Sequence, residues 1–175
     1  DAAQRALAAA LAAEPSGVRA VAAHSNRCGC LHKLRRDAEA LAACDAALAL
    51  ASERGEYALS ADITRGSIFI ALRRPGEAIA PLARACAASP THGGARLNLG
   101  SALFAAGDFA GAETAFRVAL ALAGDDDAAA SDAALNLGRA LEGLGALDGA
   151  RREYHRAALL DPQHSSARQR SATAR

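Results

Sequence analysis

The sequence predicts an all-α protein, a solenoid of antiparallel helix pairs. Three observations predict it. The first is composition: 51 of the 175 residues are alanine and 3% are aromatic. Alanine has the highest helix propensity, and β-branched residues are too scarce for extensive sheet. The second is periodicity. Apolar residues recur three and four apart, as in Leu99, Ala102, Leu103 and Ala106, which is the spacing of one helix face. The third is self-similarity. Gly66, Gly100 and Gly138 head matching stretches 34 and 38 residues apart, the interval of a helix-pair repeat.

The elements follow in chain order. Residues 1–16 read as a half repeat, the second helix of a preceding unit, closing at Glu14-Pro15. Residues 17–54 form the first full unit, with Asn26-Arg27-Cys28, Leu31, Ala40, Cys44, Ala47 and Leu48. Residues 55–92 form the second, with Gly66, Phe69, Ala78, Leu82, Ala85 and Pro90. Its Pro75 suits a helix start, where the missing N–H costs nothing. Its Pro81 falls inside a helix, where a lost bond to Glu77 predicts a local kink. Residues 93–124 form the third unit, from Asn98-Leu99-Gly100 through Gly107 and Phe109 to Ala112 and Phe116. Residues 125–162 repeat that order with Asn136-Leu137-Gly138, Gly145, Leu147, Ala150 and Tyr154, ending at Asp161-Pro162. The two 38-residue intervals carry about one helical turn more than the third, predicting longer first helices in the second and fourth units. Residues 163–175 are polar apart from alanine and read as a cap helix or tail, which a repeat array needs at its end.

The ordered Leu-Gly, Ala and aromatic positions resemble the tetratricopeptide repeat (TPR) family over nearly the whole chain. The resemblance implies a right-handed superhelix. The pattern is imperfect. The early Trp slot holds His24, Asp62, Arg96 and Ala134, and Cys28 replaces the first Gly. In this family the first helix of each pair lines the concave face. The resemblance therefore places Asn26, Thr64, Asn98 and Asn136 in one equivalent groove position. Ile63, Leu97 and Leu135 lie beside them, and Ser101 and Arg139 one turn on. Ile70 and Phe104 are expected there as exposed apolar anchors. The row of amides is similar to the asparagine ladder in the repeat region of O-linked N-acetylglucosamine transferases, which binds extended peptide. An Asn amide both donates and accepts, so it can pair with a peptide backbone without reading its sequence. The same Asn residues could instead bond neighbouring helices and stabilise the stack. The Lys/Asn carboxylate clamp of the family's chaperone-tail receptors is disfavoured, because its matching positions carry Ser25, Gly29, Thr64, Gly94 and Asn98 and the basic residues are missing.

Reactive chemistry is sparse. The only lysine, Lys33, lacks a glycine-rich phosphate loop, and no nucleophile–histidine–acid grouping stands out. No catalytic site and no cofactor are expected. His24, Cys28, His32 and Cys44 are the densest cluster of soft ligands. Packing is the leading reading of the cysteines, since cysteine serves as a small hydrophobe. A Cys28–Cys44 disulfide and a metal site rank behind it. Asp125-Asp126-Asp127 reads as a helix cap. Cys86 reads as a buried thiol, and His92, His155 and His164 as surface residues.

The composition bounds the partners. Twenty basic residues against nineteen acidic give a net charge of +1, and no basic block suggests nucleic acid. No apolar run approaches the length of a membrane span. The expected function is a non-catalytic scaffold that binds a protein or an extended peptide in its groove. A self-assembling subunit is the alternative. In it the Ala/Leu helix within residues 2–13, through Leu7 and Leu11, would serve as the edge for a homo-oligomer. The repeat region of a glycosyltransferase-like protein is a third reading. No methionine starts the chain, so either a leader has been removed or the chain is a piece of a longer one; this leans slightly towards an exported protein, with a cytoplasmic one as the alternative.

Overall fold

The computed structural model describes residues 18–51 and 56–173, and the following concerns those residues. Every regular element is an α-helix. They are α1 (Val18–Lys33), α2 (Asp37–Leu50), α3 (Glu56–Ala71), α4 (Pro75–Ala88), α5 (Gly93–Ala105), α6 (Phe109–Leu122), α7 (Asp127–Gly143), α8 (Leu147–Leu160) and α9 (Ser165–Thr173). The chain divides into two compact units, residues 1–90 and 91–175. The expected assembly edge at Leu7 and Leu11 lies outside the described residues.

One packing rule organises each helix pair. A small residue on the first helix faces a larger one 16 positions later on the second. A Cβ added at Gly100 would lie 2.6 Å from the Phe116 ring, and one at Gly138 would lie 2.5 Å from Tyr154. Gly66 is closed in the same way by Leu82. Real Cβ contacts do not come so near, so only glycine admits these partners at this helix separation. All three partners are almost fully buried.

The first pair uses a covalent version of the rule. Cys28 and Cys44, also 16 residues apart, form a disulfide with their Cα atoms 5.2 Å apart. This corrects the packing assignment. The two thiols occupy the small and the large slots of one contact, so both point into the same interface. The bridge lies among Leu31, Ala40, Ala43 and Ile68.

In the first unit, ion pairs tie the helices beside this core. Asp62, in the early Trp slot, is buried and accepts two bonds from Arg84, from Nη2 at 2.6 Å and Nε at 3.2 Å. A carboxylate needs such a fork once it leaves water. Arg65 reaches Asp45 at 3.0 Å, joining α3 to α2. Helix α4 starts at Pro75 and continues through buried Pro81. Helix α3, at 16 residues, is longer than α5, at 13.

In the second unit, Phe116, Leu137, Leu141 and Tyr154 form the core with a floor of alanines. Helix α7, at 17 residues, is the longest described. Buried Ser131 donates to the Ala157 carbonyl at 2.9 Å, joining α7 to α8. Polar α9 closes this core through Ala167, which is fully buried. His164 accepts from the Ala167 N–H and also contacts Asp132 at 3.0 Å. His164 is therefore a cap and a tie rather than a plain surface residue.

Tyr154 donates to Glu142 at 2.6 Å, and Arg170 of α9 bonds the same carboxylate at 2.7 Å. Burial first, and the bond to Glu142 second, push the phenol from 10.0 up to about 12. A folded pKa above the unfolded one means stability that is complete below pH 10 and is lost as pH rises towards 12. Tyr154→Phe should remove that dependence. In melts across this alkaline range, the wild type is expected to lose stability more steeply than the variant. Parallel curves would contradict the coupling.

Candidate functional site

The first helices of the pairs carry the residues placed in the groove. In the first unit, Asn26 of α1 is exposed, while Ile63, Thr64 and Ile70 of α3 are half-buried. Ile70 is thus not the open apolar anchor expected. Ser67 donates back to the Ile63 carbonyl at 3.0 Å. His24 is half-buried with its Nδ1 unpaired. Burial first, then nearby Arg27, holds its pKa below the usual imidazole range.

The four soft ligands do not converge. Cys28 and Cys44 are consumed by the disulfide, and His32 Nδ1 lies 2.9 Å from Asp37. Among the described residues no group of three His, Cys, Asp or Glu side chains could hold a metal ion. The Asp125–Asp127 run does local work: Asp126 caps α7 by accepting from the Ala129 N–H at 3.0 Å. His92, expected as a plain surface residue, caps α5 by accepting from Ala95.

The second unit gathers a more organised surface. On α5, Leu97, Asn98, Ser101 and Phe104 fall at spacings of one, three and three residues, so they share a face. On α7, Ala129, Ala133, Asn136 and Arg139 do the same. The Asn136 amide is engaged at both ends. Its Nδ2 donates to the Asp132 carbonyl at 2.9 Å, and its Oδ1 accepts from Arg139 at 3.1 Å. Arg139 in turn lies over the Phe104 ring, 4.7 Å from its centroid. Phe104 also packs on Phe109, with ring centroids 5.3 Å apart. Phe104 is therefore half-covered, correcting the expectation of an open anchor. Leu135 is a core residue, 7% exposed, and is removed from the groove. Ser101 donates to the Leu97 carbonyl at 3.0 Å.

A cavity of about 230 Å³ opens at the other end of these helices. Its wall includes Gly93 and Leu97 of α5, Ala119 and Leu122 of α6, and Ala129 and Ala133 of α7. Its lining is largely apolar, with the α7 cap Asp126 the charged residue among it, and it has room for an aliphatic side chain. Sequence reasoning missed it. Its traces are the Gly93-Gly94 start of α5 and the alanine pair four apart on α7, which together leave a gap where larger residues would fill one. From Ala129 to Arg139 is ten residues, roughly 15 Å along the helix. The cavity and the Arg139–Phe104 stack are thus the two ends of a short track.

A family profile described as tetratricopeptide repeat matches residues 63–127. No curated protein is a significant sequence match to this chain. Among solved structures, YrrB, described as a TPR protein with an unusual peptide-binding site, is 22% identical with a TM-score of 0.80. The match covers 98% of this chain and 82% of that one. A crystal structure of MamA is 20% identical with a TM-score of 0.77, covering 91% of this chain and 87% of that one. The second TPR domain of human RPAP3, solved with an HSP70 peptide, is 24% identical with a TM-score of 0.59. That match covers 65% of this chain and 91% of the domain. These likenesses show the fold: an all-α solenoid of TPR type.

Proposed function

We propose that the chain is a non-catalytic interaction module that binds an extended peptide segment along α5 and α7 of its second unit. The apolar cavity between the starts of those helices carries this reading. It would take one aliphatic side chain. Asn98, Ser101 and the held Arg139 follow it along the track. An extended strand advances about 3.3 Å per residue, so a track of roughly 15 Å accommodates four or five residues. The RPAP3 and YrrB structures, by their descriptions, involve peptide binding, which supports this class of partner. The disulfide supports a location in an oxidising compartment, where such bonds persist.

The test fills the cavity. Ala129 is half-buried in its wall, and Ala129→Leu adds a branched side chain there while keeping helix propensity. A panel of labelled extended peptides carrying single aliphatic residues would be titrated by fluorescence polarisation. Binders of the wild type should lose affinity by about tenfold or more, corresponding to roughly 1.4 kcal/mol. The helical signal and melting temperature should hold. Unchanged affinity would exclude the cavity as the site.

A further inference from the structure

We propose that the turns within the first unit's two helix pairs form a second docking surface, fitted to an acidic protein segment that carries leucine. The first turn, Lys33-Leu34-Arg35-Arg36, joins α1 to α2. The second, Ala71-Leu72-Arg73-Arg74, joins α3 to α4. Each presents a leucine to solvent: Leu34 is 50% exposed and Leu72 is 38% exposed. The equivalent turns of the second unit, Ala106-Gly107-Asp108 and Leu144-Gly145-Ala146, contain no cation.

The charge at these turns is not cancelled locally. Arg36 is held by Glu39 at 2.7 Å through both arms, and Arg74 forks onto Glu77 and lies over Phe69. Asp37 contacts His32. Counting these, the two turns and helix starts carry five cations, Lys33, Arg35, Arg36, Arg73 and Arg74, against three carboxylates, Asp37, Glu39 and Glu77, so the surface is net positive. Lys33, Arg35 and Arg73 remain exposed and make no ion pair among the described residues. The helix starts add to the same sign. The cap residues of α2 and α4 are Arg36 and Arg74, and neither side chain accepts a bond from the first turn. At α2 the first-turn N–H groups favour anions; at α4 the effect is weaker, since Pro75 has no N–H and the Glu77 N–H donates to the Arg74 carbonyl.

Backbone geometry marks the same two residues. Arg35 and Arg73 both have φ of 60°, where the second unit uses Gly107 and Gly145 at 87° and 75°. A side chain with a Cβ is disfavoured in this region. In both units this left-handed residue closes the first helix of a pair, with the Arg36 and Arg74 N–H groups returning to the Leu31 and Phe69 carbonyls; the first unit twice places arginine where glycine would be easier.

Charge complementarity selects an anionic partner, and the number of cations selects a protein. Stable residence on an anionic membrane takes about four to eight clustered basic residues; three are free here. Two rigid leucine–arginine knobs, on neighbouring repeats whose helices pack roughly 8–10 Å apart, suit discrete contacts instead. An extended segment returns side chains to one face about every 7 Å. Leucine and glutamate two residues apart share that face, so a segment repeating Leu-x-Glu-x would meet both knobs.

The probe is a labelled peptide repeating Leu-Ser-Glu-Ser, which places Leu and Glu on one face, titrated by fluorescence polarisation at low and high salt. The double variant Arg35→Gly with Arg73→Gly keeps the turn geometry, since glycine occupies the equivalent sites. It should bind about tenfold or more weakly, and Leu34→Ser with Leu72→Ser several-fold more weakly. Ala129→Leu should leave this binding unchanged, which separates it from the α5–α7 track. Equal affinity of the arginine variant would overturn the proposal. So would indifference to the leucine variant, which would mean bare counterion exchange. Phosphatidylserine vesicles that sediment the protein more strongly than the peptide binds it would also overturn it, in favour of a membrane.

Discussion

Phe116→Ala is expected to destabilise the protein by about 3–5 kcal/mol, the range for deleting a buried aromatic side chain. The ring is 1% exposed and sits directly against Gly100. The facing residue is a glycine on a helix whose backbone is fixed by its own hydrogen bonds, so that side cannot move in to fill the space. The complementary change, Gly100→Ala, drives a methyl into the ring and is expected to cost about 1–3 kcal/mol by overpacking. The two effects share one contact, so they should not add. Gly100→Ala with Phe116→Leu should lose less than the sum of its parts. Urea denaturation of the wild type, Gly100→Ala, Phe116→Leu and the double variant reads this cycle directly. Strict additivity would show that the small and large positions do not act as a pair.

Loss of the Cys28–Cys44 bridge is the second large effect. Closing a loop of this length removes unfolded-state entropy worth about 3 kcal/mol. Reduction, or Cys28→Ala with Cys44→Ala, should lower the melting temperature accordingly. The other repeats suggest a rescue. Cys28→Gly with Cys44→Leu rebuilds the contact made by Gly66 and Leu82. A newly buried leucine restores about 2 kcal/mol through apolar area alone. This variant should melt above the double alanine and ignore reductant. A wild type whose melting is unmoved by reductant would show that the bridge contributes nothing.

The helix pairs were legible because their signals are local. Periodic apolar residues, Pro75 at a helix start and Asp126 before α7 each act within a turn or two of their own position. The glycines were legible as repeat markers, although their reason is tertiary. Gly100 matters only because Phe116 returns to it. The disulfide was open as one alternative, but a spacing of 16 does not separate two packed thiols from a bonded pair. What separates them is that Cys28 and Cys44 hold both slots of one contact. The histidine caps were hidden because His92 and His164 act through a ring nitrogen, where Asp or Ser is the usual signal. Leu135 and Phe104 were misplaced for another reason. Equivalent repeat positions share backbone direction but not neighbours, and burial is set by the neighbours. The cavity leaves least trace in the sequence, since a void is a statement about side chains that are too small.

The bridge in the first pair also fixes how far the chain can be drawn out. Fifteen residues lie between Cys28 and Cys44, and an extended chain spans at most about 3.3–3.6 Å per residue. Under tension the intact protein therefore hides roughly 50 Å of its contour. That length is released only when the sulfur–sulfur bond breaks. The other three pairs, held by glycine and a bulky side chain, have no such stop and yield their whole length once their helices part. One repeat thus sets a chemical limit on extension that the other three do not share.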